Sequence, residues 1–188
     1  MSKGRLMVGE RAMRADARRN RDAIVAAARD VFDRDEQVRF DDFATRAGVG
    51  VGTLYRHFPT REDLAAAVYE GEVAALCRQA HNPARSAGVN LENFLLKFVD
   101  YVLSHTGLAR TLASVADPTV LANGGIKLER TVSELVSRAV TDGDIRADVV
   151  VGAVMLILHG IASAHRRPLW PEESRAAMEL LLVGLKAI

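Results

Sequence analysis

The chain predicts an all-α protein, a small N-terminal three-helix unit followed by a larger C-terminal helical bundle. Three observations carry this. Apolar residues make up 49% of the 188 residues while aromatics make up only 5%. Alanine- and leucine-rich stretches of this kind suit helix–helix packing rather than a sheet. Apolar positions recur every three or four residues, and no run alternates apolar with polar as a half-buried strand would. Gly and Pro fall mostly between the apolar runs, where helices end.

Each element follows in order. Residues 1–15 are polar, basic and without period, and are expected to form a flexible arm. A helix is predicted from Asp16 to about Arg34, with Ile24, Ala27, Ala28, Val31 and Phe32 on one face. A short helix follows over 41–47, with Phe40, Phe43, Ala44 and Ala47 facing inward. Gly48-Val49-Gly50 is a turn signal, and Gly48 can supply a left-handed helix end. A second short helix covers 51–58. Pro59-Thr60 then open a fourth helix, over 61–80, whose first turn has Glu62 and Asp63 to suit the helix dipole.

After a loop at 82–90, helices are expected near 90–105, 107–116, 125–142, 148–166 and 171–187. The first of these is apolar on more than one face, so it should be central. Asp117-Pro118 resembles an N-cap with Pro at the first helical position. Gly124-Gly125 is expected to interrupt a helical stretch, and Gly143 to end one. Organisation therefore divides into 1–15, 16–60, a connecting helix 61–80, and 81–188.

Composition excludes several classes. One cysteine, Cys77, permits neither an internal disulfide nor a cysteine-built zinc cluster, and is expected to be a small packed residue. The N-terminus lacks the apolar core of a signal peptide. The longest apolar run, Val149–Leu158, is too short to span a bilayer and is expected to be a buried helix. A cytoplasmic protein with no membrane partner is the expectation. No His-Glu-x-x-His, nucleophile elbow, phosphate loop or acid–base pair is present, so neither an enzyme nor a cofactor is expected. The spacing Gly48-x-Gly50-x-Gly52 lacks the later glycine and the preceding strand of a nucleotide site.

Net charge is only +1, but the charge is patterned. Arg46, Arg56, His57 and Arg61 occupy 46–61 without an acid. The stretch from Lys3 to Arg21 is also basic, and an acidic block at 30–42 separates the two. Leu54 and Phe58, four apart, would anchor the second short helix. Thr53, Arg56 and His57 then point away from the anchor, free to enter a major groove. Gly50 and Gly52 let the helix start approach phosphates closely. This is the chemistry of a helix-turn-helix recognition helix.

The run Phe43-Ala-Thr-Arg-Ala-Gly-Val-Gly-Val-Gly-Thr-Leu-Tyr-Arg-His-Phe-Pro-Thr-Arg-Glu-Asp-Leu64 closely resembles the DNA-binding domain of TetR-family regulators, over about residues 18–70. The resemblance implies that Thr53 and Arg56 read base edges, with Val51 against a thymine methyl. It implies that Gly52, Tyr55, His57 and Arg61 hold the backbone. The family's Ser or Thr before the second helix is here Arg39, which can meet a phosphate by charge. The helix cap must then come from elsewhere, with Asp41 and Asp42 as candidates. The family's usual Lys after the recognition helix is Arg61.

The resemblance further implies a homodimer, repression of a gene from double-stranded operator DNA, and a small-molecule effector pocket in the C-terminal bundle. Phe94, Phe98, Tyr101, His105, Leu112, Val115, Met155 and His159 are the candidate lining, with core packing the alternative for each. Such a ligand would be small and largely apolar. His105 and His159 carry no metal expectation, because no carboxylate stands three or four positions away. His81 and His165 are expected to face solvent. The small and apolar residues of the last two helices suit a four-helix dimer interface, and two recognition helices roughly 34–36 Å apart would need a near-palindrome. The alternatives are a ligand-independent or architectural DNA-binding protein, or a ligand-dependent activator.

Overall fold

A computed structural model describes residues 3–34, 36–112 and 122–186. Among them the fold is helical, with one isolated bridge between Ile145 and Lys186. The first helix, α1 (Lys3–Asp33), differs from expectation because it includes residues of the anticipated arm. That stretch has no Pro and is rich in Arg, Met and Ala, so a helix nucleated further along can propagate back through it. The C-terminal half of α1 is buried through Ile24, Ala28, Val31 and Phe32.

The helices α2 (Asp42–Arg46) and α3 (Val51–His57) pack against that half. Phe43, Ala44, Leu54 and Phe58 are buried there, and the expected anchor pair on α3 is in place. Gly48 makes the turn between α2 and α3 with φ +67°, a conformation that a side chain disfavours. Asp42 supplies the missing N-terminal partner of α2: its carboxylate accepts the Arg39 backbone N–H at 2.9 Å. Asp41, at the N-cap, makes no capping bond.

The fourth helix, α4 (Arg61–Arg78), opens on a capping box. The Thr60 hydroxyl accepts from the Asp63 N–H, and the Asp63 carboxylate accepts from the Thr60 N–H, both at 3.1 Å. Leu64, Ala65 and Val68 of α4 complete the N-terminal core, while Val73 belongs to a second core. One rigid helix thus joins the two.

That second core centres on α5 (Ala87–Ser104), which buries Leu91, Phe94, Leu95, Phe98, Val99 and Val102. Asn90, also buried, ties the preceding loop to it by accepting from Asn82 N–H at 3.1 Å and donating to Asn82 O at 3.0 Å. The short α6 (Thr106–Leu112) turns back and puts Leu108 into the N-terminal core. Next, α7 (Ala122–Thr141) passes through Gly124-Gly125 without the expected break. Gly124 is buried, and a Cβ there would lie 2.5 Å from the Tyr69 ring on α4. The glycine is a packing site, a reason only the tertiary structure supplies. Gly143, with φ +74°, follows the end of α7.

The last pair is α8 (Val151–Ser163) and α9 (Trp170–Leu185). The run Val149–Leu158 is not wholly buried as expected: Val154, Met155 and Leu158 face the core, but Leu156 is 73% exposed. The Trp170 indole N–H donates to Ile161 O at 2.7 Å and joins the two helices at one end. No described helix is long and apolar enough to cross a membrane. Asp117-Pro118 and Val115 lie outside the described residues.

Candidate nucleic-acid interface and effector cavity

Helix α3 presents Val51, Gly52, Tyr55 and Arg56 outward, with Gly50 exposed at its N-cap and Thr53 and His57 half-buried. Arg39 lies exposed just before α2. These eight candidates therefore gather around one helix-turn-helix surface. A Cβ built at Gly50 or Gly52 meets nothing within 4 Å. Neither residue has a positive φ, so the fold itself does not require glycine at either place. Gly52 inside a helix costs roughly 1 kcal/mol relative to Ala. Nothing within the fold accounts for it.

Two side chains are engaged in ways the sequence did not disclose. The Tyr55 hydroxyl donates to Asp41 Oδ1 at 2.9 Å, and the Tyr55 ring packs edge-on against Phe40. This hydrogen bond is the main cause that raises the Tyr55 pKa above the ordinary tyrosine value. Arg61 is turned inward. Its guanidinium donates to Val38 O at 2.8 Å and lies over the rings of Phe32 and Phe43. Burial lowers its pKa from the ordinary arginine value. In this conformation Arg61 braces the N-terminal core. Among the described residues Arg56 has no ion-pair partner.

A cavity of about 660 Å³ opens where the two cores meet. Of the candidates, Phe98, Tyr101, His105, Leu112 and His159 line it. Phe94 and Met155 do not; both are buried in the C-terminal core. Helix periodicity identifies an inward face but not whether that face meets a neighbour or a void, which is why these two were misplaced. The sequence reading also missed Tyr69, Leu108, His165 and Arg166, which line the cavity. His165, expected in solvent, is half-buried with its ring 6.4 Å from that of Trp170. Its neighbour Trp170, an apolar anchor just past the helix end, was the available signal.

Two side chains of the cavity, Tyr101 and His105, have well-defined surroundings. Burial first, and then the Glu72 carboxylate, push the Tyr101 pKa far above the ordinary tyrosine range, so its hydroxyl keeps its proton. His105 has Nδ1 2.6 Å from Tyr101 O and Nε2 3.1 Å from the Asp33 carboxylate on α1. Among the described residues no group of three or more His, Cys, Asp or Glu could hold a metal.

Comparison with known proteins agrees with this architecture. Residues 24–68 match the model of bacterial regulatory proteins of the tetR family. Residues 86–187 match the C-terminal domain of SbtR-like transcriptional regulators. A TetR transcription regulatory protein from Mycobacterium vanbaalenii superposes with a TM-score of 0.66 at 30% identity, covering 93% of this chain and 99% of that one. A TetR transcriptional regulator from Streptomyces coelicolor gives 0.60 at 33% identity, covering 88% and 98%. A curated HTH-type transcriptional regulator from Staphylococcus aureus is 43% identical over 54 residues, which are 28% of this chain and 29% of the relative. With both halves matched, the chain belongs to the TetR family of bacterial transcriptional regulators.

Proposed function

We propose that this chain is a sequence-specific operator-binding repressor that works as a homodimer and leaves DNA when a small molecule fills the cavity. The observation that carries the DNA reading is the outward face of α3, where glycines the fold does not need stand beside Arg56. Thr53 and Arg56 read base edges, with Val51 against a thymine methyl. Gly50, Gly52, Tyr55, His57 and Arg39 lie along phosphates. Arg61 supports this surface from beneath.

Apolar side chains left in solvent on α8 and α9 support the dimer. Leu156, Leu180 and Val183 are 73%, 75% and 66% exposed, apolar side chains that a second copy would cover. Paired with a second copy, the two helices form a four-helix interface.

Release follows from the cavity's position. Tyr69, Tyr101 and Leu112 pack against the head core as well as lining the cavity. His105 links it directly to Asp33 of α1. A ligand that favours one placement of α4 and α6 therefore shifts the head, by no more than its differential affinity for the two states.

Selection of random duplex DNA on the purified protein tests the reading. A near-palindrome with two half-sites is expected. Recovery of no motif at moderate salt with folded protein would rule out operator binding as the resting activity.

A further inference from the structure

We infer that Asp41 competes with DNA phosphate for the Tyr55 hydroxyl, and so limits how tightly the α3 surface holds any duplex. This rests on the operator reading above and adds to it a residue that works against binding.

Asp41 stands at the N-cap of α2, where a carboxylate ordinarily accepts a backbone N–H, yet it makes no capping bond. Asp42 accepts the Arg39 N–H instead. The Asp41 carboxylate is engaged across the turn, where the Tyr55 hydroxyl donates to its Oδ1 at 2.9 Å. Phe40 packs edge-on against the Tyr55 ring, with the ring centres 5.3 Å apart, and holds it from the side. Tyr55 is nevertheless 46% exposed, on the same outward face of α3 as Gly52. A carboxylate is thus built into the surface that should meet phosphates.

A tyrosine hydroxyl carries one proton. A phosphate oxygen that accepts it must take it from Asp41, which leaves that carboxylate without its donor. The two acceptors also carry charge of the same sign and repel each other. Arg39 acts in the opposite sense. It is exposed and has no ion pair among the described residues. Its charge reaches Tyr55, lowering the pKa that the Asp41 hydrogen bond raises. The guanidinium draws a phosphate to the place from which the Asp41 carboxylate repels it. Phosphate contacts carry no sequence information directly. Asp41 therefore acts on the strength of binding and not on the choice between sequences.

The test compares the full chain with Asp41→Asn, Tyr55→Phe and the double variant, each titrated with the selected operator and with random duplex. Asn keeps an acceptor for the hydroxyl but removes the charge, and no capping bond is lost, so the melting temperature should not change. Asp41→Asn is expected to bind both duplexes about fivefold more tightly at low salt, the scale of one exposed charge interaction. The gain should narrow as salt rises. In Tyr55→Phe, where no hydroxyl is contested, the same substitution should gain about twofold at most. Ultraviolet titration reads the pair in the free protein. The tyrosine ionisation that Tyr55→Phe removes should fall toward the ordinary tyrosine value in Asp41→Asn, because the charged acceptor is what raises it. If the parent binds DNA and Asp41→Asn binds no more tightly, or gains on only one of the two duplexes, the assignment is overturned. It is overturned equally by an ionisation that does not move, or by a gain undiminished in Tyr55→Phe, which would make Asp41 a general surface charge. A parent protein that binds neither duplex at low salt overturns the operator reading itself, and the assignment with it.

Discussion

Two glycines separate the two working regions of this molecule. Gly52 stands at the start of α3, where an added Cβ meets empty space. Gly124 stands in α7, where an added Cβ would press on Tyr69 at 2.5 Å. The first is unnecessary to the fold and the second is built into it. A residue that stability does not require points to a partner outside the chain, whereas a tightly packed one explains itself. The DNA-facing surface and the cavity therefore differ in what substitution should cost.

The sharpest test is Gly124→Ala. Overpacking against Tyr69 should destabilise the protein by about 1–3 kcal/mol, measured by urea unfolding, and should deform the cavity wall. An unchanged midpoint would show that the tyrosine ring moves aside freely. Next in size is Arg56→Ala on the other surface. It should remove about 1–3 kcal/mol of discrimination at one base pair of each half-site while leaving unfolding unchanged. Competition binding with single-base variants of the selected operator measures this; an unaltered preference would take Arg56 out of base reading.

Gly52→Ala makes the contrast most directly. Helix propensity predicts a gain of roughly 0.5–1 kcal/mol in stability. Close phosphate approach predicts weaker operator binding from the same protein. If stability rises and binding is unaffected, the external reason for this glycine is gone. The smallest effect on stability is expected from Asp33→Asn, since the carboxylate is 39% exposed and partly screened. Its effect should lie in coupling: the ratio of operator affinities with and without ligand should fall, as read by a DNA-binding titration at fixed ligand. An undiminished ratio would remove the His105–Asp33 link from the release path.

The helix-turn-helix surface was legible in the sequence because it is local. Leu54 and Phe58 at a spacing of four, the turn at Gly48 and the polar positions between them are all set by neighbours in the chain. What escaped the sequence depends on distant partners. The contacts of Arg61 with the Val38 carbonyl and two aromatic rings join it to residues 18 to 29 positions away. Tyr55 finds Asp41, fourteen positions away. Gly124-Gly125 looked like a break until Tyr69 was placed beside it. The cavity was legible as a region, since Phe98, Tyr101 and His105 recur along the inward face of α5 and just past its end. The lining by His165 and Arg166 was not, because these residues follow α8 in a turn that carries no periodic signal.

The pairing at the two ends of α8 and α9 has a mechanical consequence. Trp170 Nε1 bonds to Ile161 O at one end, and Arg146 N–H to Leu185 O, at 3.0 Å, at the other. The first link ties α8 directly to α9, and the second ties α9 to the segment that leads into α8, so the two helices resist splaying. A displacement at the Trp170 end is thereby passed to both helices together, and with them to the exposed Leu156 and Leu180.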